Sequence, residues 1–399
     1  MMKQILMMSP YLLYPVTFGG QSRMLSVVQL LEASGSKIDF FMFNSPPKDG
    51  EICLETIQMQ HPSSSIFLAE PDRSHYQDYF EKVLPHVTVP DPVLRFCSQQ
   101  TQDHLATVLS EQTYDLIVME HSYFGSLISF IRERSEARII LDLHNIEARF
   151  YESTWQAQDD FFEKMKQYLN WKRMDTYERE TYPLYDHCFA LSTIEMDMFK
   201  EMAPKVGVSF IPTGIETSSV IPSDYRGQSI LFTGDMGYLP NIQGISWFAD
   251  RIWPQIRDQA DRLLIVGRNP SPELVNQYAH DDRIVFLGFQ KDLTPYIHES
   301  RAFIVPIFSG AGARIKLLTG WATSLPMIST TFGAEGIQYK ANENILIADD
   351  KESYIYEIKR VLSDVEYAHR IGSSGREWVW NNYDNQVLSS KVTAVIGKL

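Results

Sequence analysis

The chain has 399 residues, 44% of them apolar and 22% charged, with a formal net charge of −14. That composition excludes a disordered or low-complexity chain, and the acidic balance excludes a nucleic-acid coat, which needs a basic face to displace counterions. The length asks for two domains of about 150 to 200 residues each.

The N-terminus, "MMKQILMMSPYLLYPVTFGG", has a short apolar run that Pro10 interrupts and no convincing cleavage site, so residues 3–8 are read as a first buried strand rather than a leader. No stretch approaches the roughly 20 apolar residues of a membrane span, while peripheral contact with a lipid surface stays open. Cys53, Cys97 and Cys188 are far apart and outside any CxxC spacing, which points to neither a disulfide framework nor a zinc site and fits a reducing cytoplasm.

Apolar runs recur along the chain. "QILMMS", "KIDFFMF", "DLIVME", "ARIILDL", "HCFALS" and "VSFIP" occupy the first half; "SILFTG", "RLLIVG", "RIVFLG", "AFIVP", "PMIST" and "NILIAD" follow in the second. Continuous apolar strands alternating with periodic segments predict parallel sheets covered on both faces, in two doubly wound α/β domains. Between the sets, "IPTGIETSSVIPSDYRGQ" at 211–228 concentrates Pro, Gly, Ser and Thr and is expected to connect the domains. Ligands of such sheets bind beyond the C-terminal strand ends, so chemistry is sought there.

Gly19 and Gly20 stand directly before a helical pattern of Met24, Leu25, Val28 and Leu31, with Ser22 as N-cap candidate. The Gly pair permits close approach of a phosphate or sugar, and is equally an ordinary tight turn. His121 follows "DLIVME" and His144 follows "ARIILDL", two imidazoles at strand ends able to hydrogen-bond a sugar hydroxyl or to be satisfied by loop carbonyls. Asp142, Asn145 and Glu147 are expected to orient His144 or cap the next helix. A metal held by Asp142 and His144 is not expected, their i, i+2 spacing being read as splitting them to opposite faces of a strand.

In "PIFSGAGARIKLLTGWA" a strand end, a Gly-rich turn and the cations Arg314 and Lys316 coincide at a helix start. Unpaired N–H groups and two cations make a diphosphate site, the alternative being a solvated basic helix start. A dinucleotide turn ranks low, because Arg314 stands where the third glycine of GxGxxG belongs. "STTFGAEGI" adds Gly333, Gly336 and the carboxylate Glu335, which could accept from a polyol or cap a turn. No GxSxG elbow, P-loop or HExxH occurs, so hydrolase, NTPase and zincin readings lose support.

The ordered series "FTGDMGYLPNIQGISWF", "RLLIVGRNP", "RIVFLGFQKDLTPYI", "AFIVPIFSGAGARIKLLTGWATSLPMISTTFGAEGI" and "GREWVWNNY" resembles the donor domain of retaining GT-B glycosyltransferases, the family four or group 1 transferases. The first half is similar in its glycine turn, "MEHSYFGS", "DLHNIE" and "IPTGIE". The resemblance implies two Rossmann-like domains facing each other across a cleft: residues 1–212 for the acceptor, with a C-terminal helix at about 384–399 packing back onto them, and 213–383 for the nucleotide-sugar donor.

It further implies that Arg314 and Lys316 neutralise the donor diphosphate beside Gly310, Ala311 and Gly312. Phe289, Gln290 and Leu293 line the base pocket, and Gly19, Gly20, Gly237, Thr319 and Glu335 belong to the donor site. His121 is the histidine near the transferred sugar, with His144 and Asn145 on the acceptor or sugar side and residues 44–75 as uninterpreted acceptor loops. The implied reaction is metal-independent and retaining, without a cofactor. It takes a nucleotide diphosphate sugar, UDP favoured over GDP, and a glycan, lipid-linked or small-molecule acceptor, in the cytoplasm and without nucleic acid. One departure stands out: the family's two glutamates fall on Ala311 and Thr319. It favours an alternative, a catalytically impaired protein that binds a nucleotide sugar or a partner transferase as a regulator. A GT-B epimerase or phosphorylase is a third reading, for which no cofactor lysine is evident.

Overall fold

The computed structural model describes residues 2–16, 19–44, 50–72, 89–156, 158, 160–309 and 315–399. They fall into two compact units, Met1–Thr213 with Leu388–Leu399, and Gly214–Val387. Each is built on one parallel sheet.

In the upstream unit the described strands are β1 (Gln4–Ser9), β2 (Lys37–Phe43), β3 (Ile66–Ala69), β4 (Leu116–Glu120), β5 (Arg138–Leu143), β6 (His187–Ala190) and β7 (Gly207–Phe210), in the order β3-β2-β1-β4-β5-β6-β7. Their continuous apolar runs are required because both faces are covered. Alternate residues separate accordingly: Leu6, Met8, Phe41, Ile117 and Met119 enter one core, Ile5, Met7, Phe40, Leu116 and Val118 the other. Helix α1 (Gly19–Ala33) lays Met24, Val27, Val28 and Leu31 on the second core. Helices α2 (Glu147–Gln156) and α3 (Phe161–Thr181) pack along each other, and Met174 and Tyr177 of α3 join the first core.

The downstream strands are β8 (Ser229–Thr233), β9 (Leu263–Val266), β10 (Ile284–Gly288), β11 (Ser300–Val305), β12 (Met327–Ser329) and β13 (Leu346–Ile347), in the order β10-β9-β8-β11-β12-β13. Helix α4 (Leu239–Arg251) follows β8, α5 (Ile315–Ala322) follows β11, and α6 (Val365–Tyr383) precedes the terminal helix α7 (Asn385–Ile396). Leu388, Val392 and Ile396, spaced one helical turn apart, bury against the second upstream core. Such sheets, each with helices on its faces, match the expected doubly wound class.

Two local readings need correction. Helix α1 begins at Gly19, so the Gly pair forms its first turn and Ser22 lies inside it rather than capping it. Residues 44–75, left uninterpreted, contain a helix at Gly50–Gln60 and the edge strand β3, which pairs with β2 through Phe40 and Ile66. Four residues with a partly exposed pattern carry too little periodicity to be read as a strand.

Gly244 of α4 holds the helix against the chain leaving β11: a Cβ there would stand 2.0 Å from the Pro306 carbonyl oxygen. Gly244→Ala is therefore expected to lower Tm, at a cost of about 1–3 kcal/mol, the range for overpacking. An unchanged melting curve would contradict this close approach.

Candidate active site

The upstream candidate grows from the C-terminal ends of β4 and β5, at the centre of the sheet. Glu120 ends β4, Asp142 is the penultimate residue of β5, and His144 follows it. All three are buried, and so is Arg23 of α1. Arg23 clasps Asp142 with two hydrogen bonds, Nε to Oδ2 at 3.0 Å and Nη2 to Oδ1 at 2.6 Å. His144 Nε2 lies 2.5 Å from Glu120 Oε2 and 3.3 Å from Asp142 Oδ2. Among the described residues Glu120 Oε1 and Arg23 Nη1 have no hydrogen-bond partner.

These contacts set the protonation states. Burial opposes the Asp142 charge, but the Arg23 guanidinium and His144 outweigh it and hold the carboxyl well below the usual range. Burial likewise opposes a charged His144, yet its hydrogen bonds to Asp142 and Glu120 raise it to about 9. Glu120 is raised to about 7, by burial first and then by the Asp142 charge. At neutral pH His144 is an imidazolium held between two carboxyl groups.

His121 stacks on it, ring centroids 4.0 Å apart. Burial, then the adjacent His144 charge, lowers its pKa, with Glu147 opposing in part; His121 is thus neutral. Its Nδ1 is 3.1 Å from Glu147 Oε1 and its Nε2 3.1 Å from the Tyr11 hydroxyl. A carboxylate oxygen only accepts, so Nδ1 carries the proton and Nε2 accepts from Tyr11, whose pKa burial and then the Glu120 charge raise well above 10. A ligand hydroxyl that took the place of the Tyr11–His121 hydrogen bond would meet a neutral imidazole lone pair and a phenolic hydroxyl, a combination suited to sugars.

The backbone at His121 is also unusual. Its φ of 70° and ψ of 158° lie in a region adopted almost only by glycine. The strain, about 1–3 kcal/mol, is held by the side-chain contacts of His121, including a parallel stack on Tyr123 at 5.1 Å. Behind the site, the buried carboxylate of Glu178 accepts from Ser122 Oγ, the backbone N–H groups of Glu147 and Ala148, and the Tyr182 hydroxyl. It ties the residue after His121 to the start of α2, where Glu147 stands.

The downstream candidate gathers after β8, β9, β10 and β11. Lys316, in the first turn of α5, donates from Nζ to Asn241 Oδ1 at 2.6 Å and stands 4.8 Å above the Phe232 ring. Asp235 Oδ1 accepts from Gly237 N at 2.7 Å and Asn269 Nδ2 at 3.0 Å, shaping the turn after β8. Phe289 is 60% exposed with the Arg268 guanidinium 4.6 Å above its ring. Gln290 donates to the Leu287 carbonyl at 2.7 Å, and Leu293 precedes the helix Thr294–Glu299. Thr319 lies within α5, and Glu335 closes the 3-10 turn Phe332–Ala334.

Set against the sequence, His121 and His144 do come together, joined by Tyr11, Arg23, Glu120 and Glu178, none of which was singled out. Glu120 precedes His121 directly in "MEHS", a usable signal; Arg23 and Glu178 read as ordinary surface charges of helices. Asn145 is half-buried in the turn after β5. Glu147 orients His121 rather than His144, with which Asp142 pairs instead. The expectation that Asp142 and His144 point to opposite faces is wrong: residues two apart share a face of a strand, and one ligand atom each from Glu120, Asp142 and His144 lie within 4.8 Å of one another. His144 Nε2 and Glu120 Oε2, 2.5 Å apart, are at hydrogen-bonding distance. Gly19 and Gly20 occupy the first turn of α1. Gly310, Ala311, Gly312 and Arg314 lie outside the described residues.

Comparison with known proteins bears on the family and the fold. Residues 227–364 match the family model of group 1 glycosyl transferases, so the resemblance drawn from the sequence holds. An uncharacterized 44.6 kDa protein in the cps region of Klebsiella pneumoniae is 21% identical over 98% of this chain and 99% of its own. A GDP-mannose-dependent α-(1-6)-phosphatidylinositol monomannoside mannosyltransferase of Mycobacterium tuberculosis is 24% identical over 47% of this chain and 55% of its own. Among solved structures, sucrose-phosphate synthase of Thermosynechococcus elongatus superposes with a TM-score of 0.74 at 17% identity, covering 99% of both chains. Anabaena HepE in complex with UDP gives 0.67 at 11% identity, over 99% of this chain and all of its own. The fold is that of GT-B glycosyltransferases.

Two outcomes follow for the upstream site. His144 binds its proton more tightly folded than unfolded, so its contribution is fully present below its ordinary value of 6.5 and is lost as pH rises through about 9. At about 1.4 kcal/mol per unit, stability should fall by about 3 kcal/mol between pH 6.5 and 9. His121, shifted the other way, acts below pH 6.5, while Glu120 and Glu178, both raised to about 7, add to the fall at the lower end of the window. Chemical denaturation across the window should show the decline, and His144→Gln should make its upper part shallower. Separately, His121→Gly should melt above His121→Ala, because only glycine relieves φ 70°; equal melting points would mean the backbone is unstrained.

Proposed function

We propose that this protein is a retaining, metal-independent glycosyltransferase that moves a sugar from a nucleotide diphosphate sugar to a glycan, lipid-linked or small-molecule acceptor. The observation that carries the reading is Lys316: a cation fixed by Asn241 in the first turn of the helix after β11, inside the segment that matches group 1 glycosyl transferases. A diphosphate leaving group needs such charge, and positioning together with electrostatic stabilisation supplies most of the catalysis of a transfer like this one. Arg314 and the amides of Gly310, Ala311 and Gly312 are assigned to the same diphosphate on their place in the sequence.

A UDP donor is favoured. HepE was solved with UDP and with UDP-glucose, while the mycobacterial relatives are named as GDP-mannose-dependent, so the base is the least constrained part. The exposed Phe289 and the Arg268 guanidinium above it offer a planar surface to a nucleobase. On the upstream unit, His121 Nε2 and Tyr11 are assigned to hydroxyls of the sugar or acceptor. Transfer in polysaccharide or glycolipid assembly, in the cytoplasm, is the setting we favour. The second reading, a catalytically impaired regulator, rests on Ala311 and Thr319 where the family carries glutamates: a hydroxyl holds a ribose more weakly than a carboxylate, by about 1 kcal/mol.

Thermal shift across UDP, GDP, ADP and dTDP, followed by measurement of released nucleotide with a panel of sugars and acceptors, tests both. UDP should raise Tm most, and Lys316→Ala combined with Arg314→Ala should abolish most of that rise with the apo melting point kept. His121→Ala should lower turnover while leaving the UDP shift intact. Nucleotide-induced stabilisation without turnover on any acceptor would select the regulator, and stabilisation unaffected by the double variant would reject the diphosphate assignment.

A further inference from the structure

The surface of α3 carries a second kind of site. Its C-terminal half is rooted in the core through Met174 and Tyr177, but its first turns are not: Phe161 is 68% exposed, Phe162 81% and Met165 48%. One to two turns further along, Trp155 of α2 stacks on Trp171 at 5.2 Å, and Tyr168 packs edge-on to both, which fixes α3 against α2 there. Phe161, Met165, Tyr168 and Lys172 follow the helical repeat along one stripe.

The charge of this stretch differs from that of the chain. Residues 164–173, "KMKQYLNWKR", hold four cations and no carboxylate in a protein of net charge −14. Arg173 is buried, whereas Lys172 is exposed and lies over the Trp171 and Tyr168 rings at 4.0 and 5.8 Å. Of the neighbouring described acidic groups, Asp160 caps α3 by accepting from Glu163 N at 2.9 Å, and Glu163 pairs with Lys166 at 3.3 Å. Exposed aromatic residues beside lysines whose stems can run along them match the region between headgroups and acyl chains. An aqueous surface gives them no partner, and contiguous exposed apolar residues of this kind mark docking sites.

We propose that the α2–α3 hairpin docks the protein on an anionic lipid bilayer, Phe161, Phe162 and Met165 entering the interface and Lys164 and Lys172 facing its headgroups. The lysines supply a salt-sensitive attraction and the aromatic residues a salt-resistant one. This surface stands apart from the sugar-transfer reading and does not depend on it.

Co-sedimentation of the full chain with vesicles of phosphatidylcholine alone, and of phosphatidylcholine with about a third phosphatidylglycerol, tests the proposal. The chain should pellet with the anionic vesicles and much less with the neutral ones. Phe161→Ser with Phe162→Ser should weaken binding about tenfold or more; Lys164→Gln with Lys172→Gln should weaken it and remove most of its salt dependence. Phe161, Phe162 and Lys172 are exposed and Lys164 is half-buried, and melting curves matching the wild type confirm that the fold is kept. Absence of binding to anionic vesicles, or equal binding by the double serine variant, would overturn the proposal. So would sedimentation velocity showing a self-associating wild type and a monomeric serine variant, neither of which binds vesicles; the face would then be a protein interface.

Discussion

The clasp between Arg23 and Asp142 is the constraint on which the upstream site rests. Two charges removed from water cost several kcal/mol each, and their attraction offsets that only when the geometry is complete. Here it is bidentate and dry. Because Asp142 stays ionised, the imidazole two residues later keeps its proton, and Glu120 adds the second contact. A charged ring then lies 4.0 Å from His121, and two stacked imidazolium ions would repel. His121 is left neutral, with the tautomer selected by Glu147. One ion pair, placed where a helix meets two strand ends, thereby decides what the outermost histidine can do.

The downstream unit solves a different problem with a simpler device. A lysine near a helix start has a flexible stem, and its ammonium could spread over many positions at the cost of side-chain entropy when a ligand orders it. Asn241, on the helix after β8, accepts from that ammonium, and the glycine at 244 lets the same helix lie close to the chain leaving β11. The strand-end loops of β8 and β11, neighbours in the sheet, are coupled through this contact. Packing of that helix thereby helps to preorganise the cation.

Much of this was legible in the sequence because strand and helix periods differ. The twelve apolar runs correspond to strands of the two sheets, and the histidines at strand ends were found because open parallel sheets place chemistry there. What escaped has a physical reason in each case. Arg23 sits in a helix among polar and apolar neighbours, and nothing local says that its guanidinium turns inward to a strand 119 positions away. Glu178 acts across 56 positions to Ser122, which no local pattern records. The edge strand β3 is too short to show alternation. The mistaken separation of Asp142 from His144 was an error of period: along a strand, two residues is a full repeat.

In the proposed reading the two units supply different electrostatics, each by its own chemistry. A phosphate calls for a cation held in position, and Lys316 is held by the neutral amide of Asn241. A sugar hydroxyl both donates and accepts, so a neutral pair able to do either can match it. His121 and Tyr11 meet that need, with the ionised groups kept one layer beneath the surface in a network whose charges compensate. In the proposed reading a transferase with Ala311 and Thr319 stays chemically coherent, because neutralising the leaving diphosphate is assigned to Lys316 and Arg314 rather than to either of those positions.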